Sequence, residues 1–313
     1  MSLKQFIKHV RHRAEYTVVR LAIAVLQALP PVRCEQFAAA MAVVCHRWLG
    51  LRHKVIAENL ATAFPTASDA QRQRLTRDTW RHLFLMLAEI AHAPRKLHRV
   101  NWREWIDAPH DKPTLEILMQ GRPIVLMSGH HGNFELGGFI IGLFGFPTHT
   151  VARTLDNPLL DRFVNDFRSR TGQHMLPKTG SRDAVEKLLA GGGTLALLGD
   201  QAAGDRACWV NFFGRPASTH KAVALFSLSY NAPMLVTATR RVGGMLRYEV
   251  SIVGQIDPAA DDFKLQTIPE VTEWYTQQLE TMICRAPEQY WWVHRRWKGT
   301  PPASVVRRLS TAA

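Results

Sequence analysis

Apolar residues along the chain fall into two periods. A three-to-four-residue period marks helices: Leu75, Leu83, Leu87 and Ile90 share a face behind the Ser68-x-x-Gln71 capping box, and Val271, Trp274, Tyr275, Leu279 and Met282 follow Thr267-Ile-Pro-Glu270. Short, nearly continuous apolar runs mark buried strands, at Pro123 to Met127, Pro147 to Ala152 and Thr194 to Leu198. Helical stretches alternate with these runs: Phe134 to Phe144, a segment begun by Asp156 or Asn157 with Pro158 in first position, and Ser181 to Leu189. Thr219 starts a further helix to Tyr230, and Met234 to Arg240 and Leu246 to Val253 read as adjacent strands joined through Val242-Gly-Gly244. The expectation is an α/β fold with a mostly parallel central sheet flanked by helices.

The first 51 residues differ. Leu21 to Val32 and Phe37 to Leu51 are largely apolar, separated at Pro30-Pro31, and neither reaches the ~20 residues of a spanning helix. Lys4, Lys8, Arg11, Arg13 and Arg20 precede them against a single acid, Glu15. This predicts helices that associate with an anionic membrane surface. The expected organisation is a membrane-associating region over 1–51, a catalytic domain over 52–298 and a C-terminal tail over 299–313.

Composition adds a bias in partners. With 39 Lys and Arg against 26 Asp and Glu, the net charge is +13, which favours polyanions, a membrane surface or phosphorylated ligands. The four cysteines, Cys34, Cys45, Cys208 and Cys284, form no Cys-x-x-Cys pair and suit a reducing compartment.

The candidate chemistry lies on the turn Gly129-His-His-Gly-Asn-Phe-Glu135, between a strand and a helix, where α/β sheets bind ligands. His130 can take a proton from a hydroxyl, and Glu135, with four residues between them, can fold back to hold the other ring nitrogen. No Gly-x-Ser-x-Gly elbow supplies a nucleophile, so the dyad would activate a substrate hydroxyl. The neighbouring strand ends in a comparable position at Gly199-Asp200-Gln201, where Asp200 could orient a polar substrate or an arginine, or cap its loop. Glu89 reads as a structural carboxylate. Two other readings compete: a metal-dependent hydrolase using His130, His131 and Glu135, and a non-enzymatic protein binding membrane or nucleic acid.

Several blocks then fall in order: Gly129 to Glu135, Arg153 with Asn157-Pro158, Asp200-Gln201, Phe212-Phe-Gly214 with Thr219, and Tyr290-Trp-Trp-Val-His-Arg-Arg-Trp297. With Asn59-Leu60 and Phe64-Pro65, they resemble the lipid A biosynthesis (late) acyltransferase family of the lysophospholipid acyltransferase superfamily, over roughly residues 15–298. The resemblance implies a glycerolipid acyltransferase-like fold at the bacterial inner membrane, with the active site facing the cytoplasm. It implies transfer of a fatty acyl group, lauroyl or myristoyl in type, from acyl carrier protein or acyl-CoA to a hydroxyl of a membrane glycolipid. His130 would be the general base and Glu135 its partner. The N–H groups of Gly132 and Asn133 and the Arg153 guanidinium would meet the oxyanion, and Arg168 and Arg170 would hold phosphates. Asn157, Asp200 and Gln201 join the substrate-binding set. No cofactor, metal or nucleic acid is implied.

Overall fold

The computed structural model describes residues 2–109, 112–177, 180–204 and 207–311. Helix α1 (Leu3–Ala28) begins on a capping box made by Ser2 and Gln5. It ends ahead of Pro30-Pro31, and Pro31 opens α2 (Pro31–Val43) in the position where a missing N–H costs nothing. A wider π-helical turn over Val44–Leu49 runs to Gly50, whose left-handed backbone (φ 56°) ends it. Helix α3 (His53–Ala63) stops ahead of Pro65, and α4 (Asp69–Lys96) starts on the anticipated Ser68–Gln71 box. Helices α1, α2 and α3 pack against α4. On its outer side α1 leaves Leu3, Phe6, Ile7, Val10, Val18, Leu21 and Val25 exposed, a stripe at helical spacing.

The sheet is built from β1 (Ile106–Asp107), then, after α5 (Lys112–Met119), β2 (Ile124–Ser128), α6 (Phe134–Leu143), β3 (Thr148–Ala152), α7 (Pro158–Ser169), β4 (Gln173–Pro177), α8 (Arg182–Ala190) and β5 (Thr194–Leu198). A hairpin of β6 (Cys208–Phe212) and β7 (Arg215–Thr219) stands apart, followed by α9 (Ala222–Ser229), β8 (Met234–Arg241), β9 (Tyr248–Ile256), α10 (Ile268–Arg285) and α11 (Ala303–Thr311). The order across the seven-stranded sheet is β1-β9-β8-β2-β5-β3-β4. Strands β8, β2, β5, β3 and β4 run parallel, and β9 returns antiparallel to β8. The mostly parallel, helix-flanked α/β architecture is therefore present.

Side chains of β2 alternate between two cores. Val125 and Met127 join Val223, Tyr275, Leu279 and Met282 beneath α9 and α10, whereas Leu126 faces Ile141 of α6. Because both faces are covered, β2 has almost no polar residue, as a central parallel strand requires.

Three elements differ from expectation. Strand β4 forms the sheet edge, where its mixed sequence and Pro177 are tolerated. The β6–β7 hairpin turns through Phe213 and Gly214, both at positive φ (51° and 71°), so the helix expected from Thr219 begins only at Ala222. Residues 303–311, expected within a tail, form α11; Leu309 is buried and Arg308 donates to the Trp209 carbonyl at 2.6 Å.

Glu89 of α4 is fully buried and ties the helical layer to the sheet. It accepts from Arg241 Nε at 2.6 Å, from Asn133 Nδ2 at 3.1 Å and from the Leu246 N–H at 3.2 Å. Arg241 also donates to His82 Nδ1 at 2.8 Å, leaving the His82 Nε2–H to donate to the Gly132 carbonyl at 3.1 Å. Burial and the neighbouring Arg241 hold His82 well below its ordinary pKa, so it stays neutral in this relay. Glu89→Ala would strand the Arg241 cation in the interior. It is expected to cost about 3–5 kcal/mol, measured as a lowered urea midpoint with unchanged m.

Candidate active site

Strands β2 and β5 pair in register, Ser128 opposite Leu198. Two residues beyond those ends stand His130 and Asp200, side by side. The His130 Nδ1–H donates to Asp200 Oδ1 at 2.7 Å, and the His130 backbone N–H donates to Oδ2 at 2.7 Å. On the other side of the ring, Gln201 Nε2 lies 3.1 Å from His130 Nε2, so a neutral imidazole accepts there. Asp200 is 2% exposed, yet its pKa is lowered to about 2: burial pushes it up, and the His130 ring, its hydrogen bonds and the nearby Arg296 cation more than reverse this. For His130, burial works against the cation, but the Asp200 carboxylate outweighs it and the pKa rises above the ordinary value.

The expected partner of His130, Glu135, is engaged elsewhere. From the first turn of α6 its carboxylate takes a bidentate contact from Arg168 of α7, Nη2 to Oε1 at 2.7 Å and Nε to Oε2 at 3.0 Å. A residue in the first turn is carried outward over the neighbouring helix, while β5 delivers Asp200 to the ring. Glu135 acts on His130 through its field and not through the ring nitrogen.

The other predicted residues separate into two groups. Arg153, Arg168 and Gln201 line a cavity shared with His130 and Glu135. Gly132, Asn133, Asn157 and Arg170 are not among its lining. The Gly132 N–H donates to the Gln289 carbonyl at 2.9 Å and the Asn133 N–H to the Thr239 carbonyl at 3.2 Å, so neither is available to an oxyanion. Gly132 has φ +60°, and a Cβ there would collide with the Thr239 carbonyl. Asn133 caps α6 through Leu136 N and binds Glu89. Asn157 caps α7 and fastens it to α1, donating to the His12 carbonyl at 2.9 Å and Glu15 at 2.8 Å. Arg170 is exposed at the end of α7.

The aromatic and basic segment 290–297 supplies residues whose work the sequence did not reveal. The Trp291 N–H donates to the His130 carbonyl at 2.9 Å, and the Ala202 N–H donates to His294 Nε2 at 3.2 Å, so one segment holds both turns. Tyr290 is buried, and burial together with the nearby Asp200 carboxylate pushes its phenol well above the ordinary pKa. Arg296 is 1% exposed, stacked on Phe212 and bound to the Ser218 carbonyl and Thr219 Oγ1 at 2.6 Å each. Asn59 of α3 holds this segment from behind, donating to the carbonyls of Trp292 and His294 at 2.7 Å each. His131 points away from the cavity, its Nε2–H donating to the Ala286 carbonyl at 3.0 Å, and burial lowers its pKa to about 4. It shares no space with His130 and Glu135, which removes the geometry a three-ligand metal hydrolase needs.

The cavity holds about 690 Å³ and runs from His130 between the sheet and α6, past Leu126, Ile141, Met175 and Ala196. A mainly apolar slot ending at a buried histidine–carboxylate pair can take an extended hydrocarbon with its reactive carbon at the imidazole. Residues 3–299 match the model of the bacterial lipid A biosynthesis acyltransferase family. The chain belongs to this family. It is 27% identical over 260 residues to the lipid A biosynthesis palmitoleoyltransferase of Escherichia coli K12, covering 81% of each chain. To the lauroyltransferase of the same organism it is 27% identical over 269 residues, covering 84% of each. Among solved structures, it is similar to a 1-acyl-sn-glycerophosphate acyltransferase of Thermotoga maritima, at 12% identity and a TM-score of 0.34, over 80% of this chain and 96% of that one.

For an acyltransferase, the arrangement gives His130 Nε2 a position from which to take a hydroxyl proton, while Asp200 fixes the tautomer and stabilises the imidazolium. The reactive form is neutral His130, so kcat/KM should rise with pH through a value above 6.5, the ring's ordinary pKa. In Asp200→Asn the burial effect remains without its counter-charge. The limb is expected to move to lower pH and the plateau to fall about 10²–10⁴-fold, as measured by a pH–rate profile of the folded variant.

Proposed function

We propose that the chain transfers a fatty acyl group from a thioester, acyl carrier protein or acyl-CoA, to a hydroxyl of a lipid A precursor or related membrane glycolipid. The observation that carries this reading is the His130 ring, held by Asp200 at one nitrogen and lining the apolar cavity, where its other nitrogen meets the Gln201 amide that an acceptor hydroxyl would displace. His130 Nε2 removes the acceptor proton as the oxygen attacks the thioester carbonyl. The tetrahedral intermediate then collapses, and the imidazolium returns the proton to the departing thiolate. With the Gly132 and Asn133 N–H groups committed, Arg153 and the Gln201 amide are the donors nearest this chemistry. Arg153 is 79% exposed at the rim, where its 3.4 Å contact with the exposed Asp156 is weak enough to exchange for an oxyanion or phosphate. Glu135 orients Arg168 at the same rim, and Arg168 retains N–H donors for an anionic headgroup.

Association with the cytoplasmic face of the inner membrane belongs to the same reading. Among the described residues no helix is long and apolar enough to cross a membrane. The exposed apolar stripe of α1 lies beside Lys4, Lys8 and Arg11, and Trp48 and Leu49 project from the π-helical turn at 75% and 56% exposure. Such a surface settles at the headgroup boundary of anionic lipid. Helix α7 links it to the site: Phe163 packs on Tyr16 of α1, and Arg168 lines the cavity.

The decisive experiment follows labelled acyl groups from acyl carrier protein or acyl-CoA into a lipid A precursor. Wild type is expected to label the glycolipid. His130→Ala should lose at least about 10³-fold, and Glu135→Gln should lose less and mainly through KM. Transfer surviving in His130→Ala would remove the base assignment, and free fatty acid in place of labelled glycolipid would favour a hydrolase. Separately, Phe6→Glu with Trp48→Glu is expected to weaken sedimentation with anionic vesicles by tenfold or more while leaving the melting temperature near wild type.

A further inference from the structure

A base activated by Asp200 takes a proton from water as readily as from a lipid hydroxyl. The His130 ring is enclosed on most sides: Asp200 holds Nδ1 at 2.7 Å, and Phe134 and Trp291 pack against it with ring centroids 4.7 and 6.3 Å away. An attacking oxygen therefore approaches at Nε2, and the side chain is still 15% exposed, so water reaches this end of the cavity too. Gln201 stands on that approach. Its Nε2 lies 3.1 Å from His130 Nε2, and among the described residues this is the hydrogen bond its amide makes. With the Nδ1–H committed to Asp200, the neutral ring accepts at Nε2 and the amide donates. The main chain on either side of Gln201 is fixed. The Gly199 N–H donates to the Ser128 carbonyl at 3.0 Å, the Ala202 N–H to His294 Nε2 at 3.2 Å and the Ala203 N–H to Ser218 Oγ at 3.3 Å. The Gln201 side chain is thus a movable cap on a rigid turn, and rotation about its own bonds uncovers the base.

Exchanging the cap for a bond to water loses the net worth of one intramolecular hydrogen bond, about two- to tenfold in population. A single water has no other contact with which to offset that loss. A glycolipid has: its headgroup meets Arg153 and Arg168 at the rim, and binding energy from such remote groups can be spent on opening the reacting centre. Resting on the acyl-transfer reading above, we propose that Gln201 sets the selectivity for a lipid hydroxyl over water, its amide capping His130 Nε2 until an anchored acceptor displaces it. The reaction it suppresses is thioester hydrolysis. There Nε2 would take a proton from water as the oxygen bonds to the acyl carbon, the carbon–sulfur bond would break, and the imidazolium would return the proton to the thiolate, giving free fatty acid and thiol.

The test compares wild type, Gln201→Ala and the nearly isosteric Gln201→Glu as detergent-solubilised full chains with matched melting curves. Diethyl pyrocarbonate, which modifies neutral imidazole, is followed at His130 by peptide mass, with the other histidines as internal references. In Gln201→Ala this modification is expected to quicken at least about threefold; a smaller change would overturn the cap. Dodecanoyl-CoA hydrolysis is then measured without acceptor, and dodecanoyl transfer with a lipid A precursor. The ratio of hydrolysis to transfer should rise at least about threefold in Gln201→Ala, and the added hydrolysis should vanish when His130→Ala is combined with it. Hydrolysis and transfer falling in proportion would overturn the selectivity role and leave Gln201 a donor to the oxyanion. In Gln201→Glu the carboxylate stabilises the imidazolium, so the rising limb of both pH–rate profiles should move to higher pH. An unmoved limb would remove Gln201 from Nε2. If wild type labels no lipid acceptor while Gln201→Ala still speeds modification of His130, the transferase reading fails and the cap stands.

Discussion

The site depends on one backbone constraint, the in-register parallel pairing of β2 with β5. Because Ser128 faces Leu198, the chain that leaves each strand carries its second residue to the same height, and those residues are His130 and Asp200. A slip of one residue would turn one of the two side chains to the opposite face. The short contact then creates its own electrostatics: Asp200 is an ion because His130 and Arg296 stand beside it, and the imidazole rises in basicity because Asp200 is an ion. Such a buried cluster stays compact only when nearly every lone pair and proton is matched. The segment from Gln289 to Arg296 does this matching from behind, with backbone groups on the histidine turn and side chains on the aspartate turn.

This dependence explains what could be read from the sequence. Helix starts at Ser68 and Thr267, the strand-turn-helix around His130 and the apolar strands β2 and β5 all follow local rules, and they are present. The height match of Asp200 with the histidine turn was visible as well. Its choice as the ring partner was not, because spacing along the chain favours Glu135, five residues from His130, over a group seventy residues away. Pairing register decides that competition and leaves no mark in a single sequence. The same limit hid the roles of Gly132, Asn133 and Asn157. Their types were right for a turn and two helix caps, and those local duties consume the groups a substrate would have used. Strand β4 and the β6–β7 hairpin were not assigned; Pro177 and Pro216 lie within them, on an edge strand and a two-stranded ribbon where proline is tolerated.

Charge is divided by depth. The basic residues of α1 and the rim arginines face outward, where a net +13 can act at long range on an anionic surface. Arg241 and Arg296 belong to the interior and have no such duty; each stabilises a buried carboxylate, Glu89 by contact and Asp200 by its field. Arg168 stands between the two classes, 19% exposed and fixed by Glu135. Counting arginines in a sequence therefore overstates the surface field and hides the cations that stabilise buried carboxylates.

The commitment of the Gly132 and Asn133 N–H groups constrains how charge can be met in the reaction. A helix N-terminus normally offers free donors to an anion, but in this turn Gln289 and Thr239 have taken them. What remains at the mouth is side-chain chemistry, on Arg153 and Gln201, which must move to follow the developing negative charge. Mobile donors stabilise a transition state less than preorganised ones unless closure of the site fixes them. Seating the exposed rim against a lipid surface would remove water from Arg153 and restrict its rotamers at once. Under the membrane association proposed above, the bilayer would complete the active site as well as carry the acceptor.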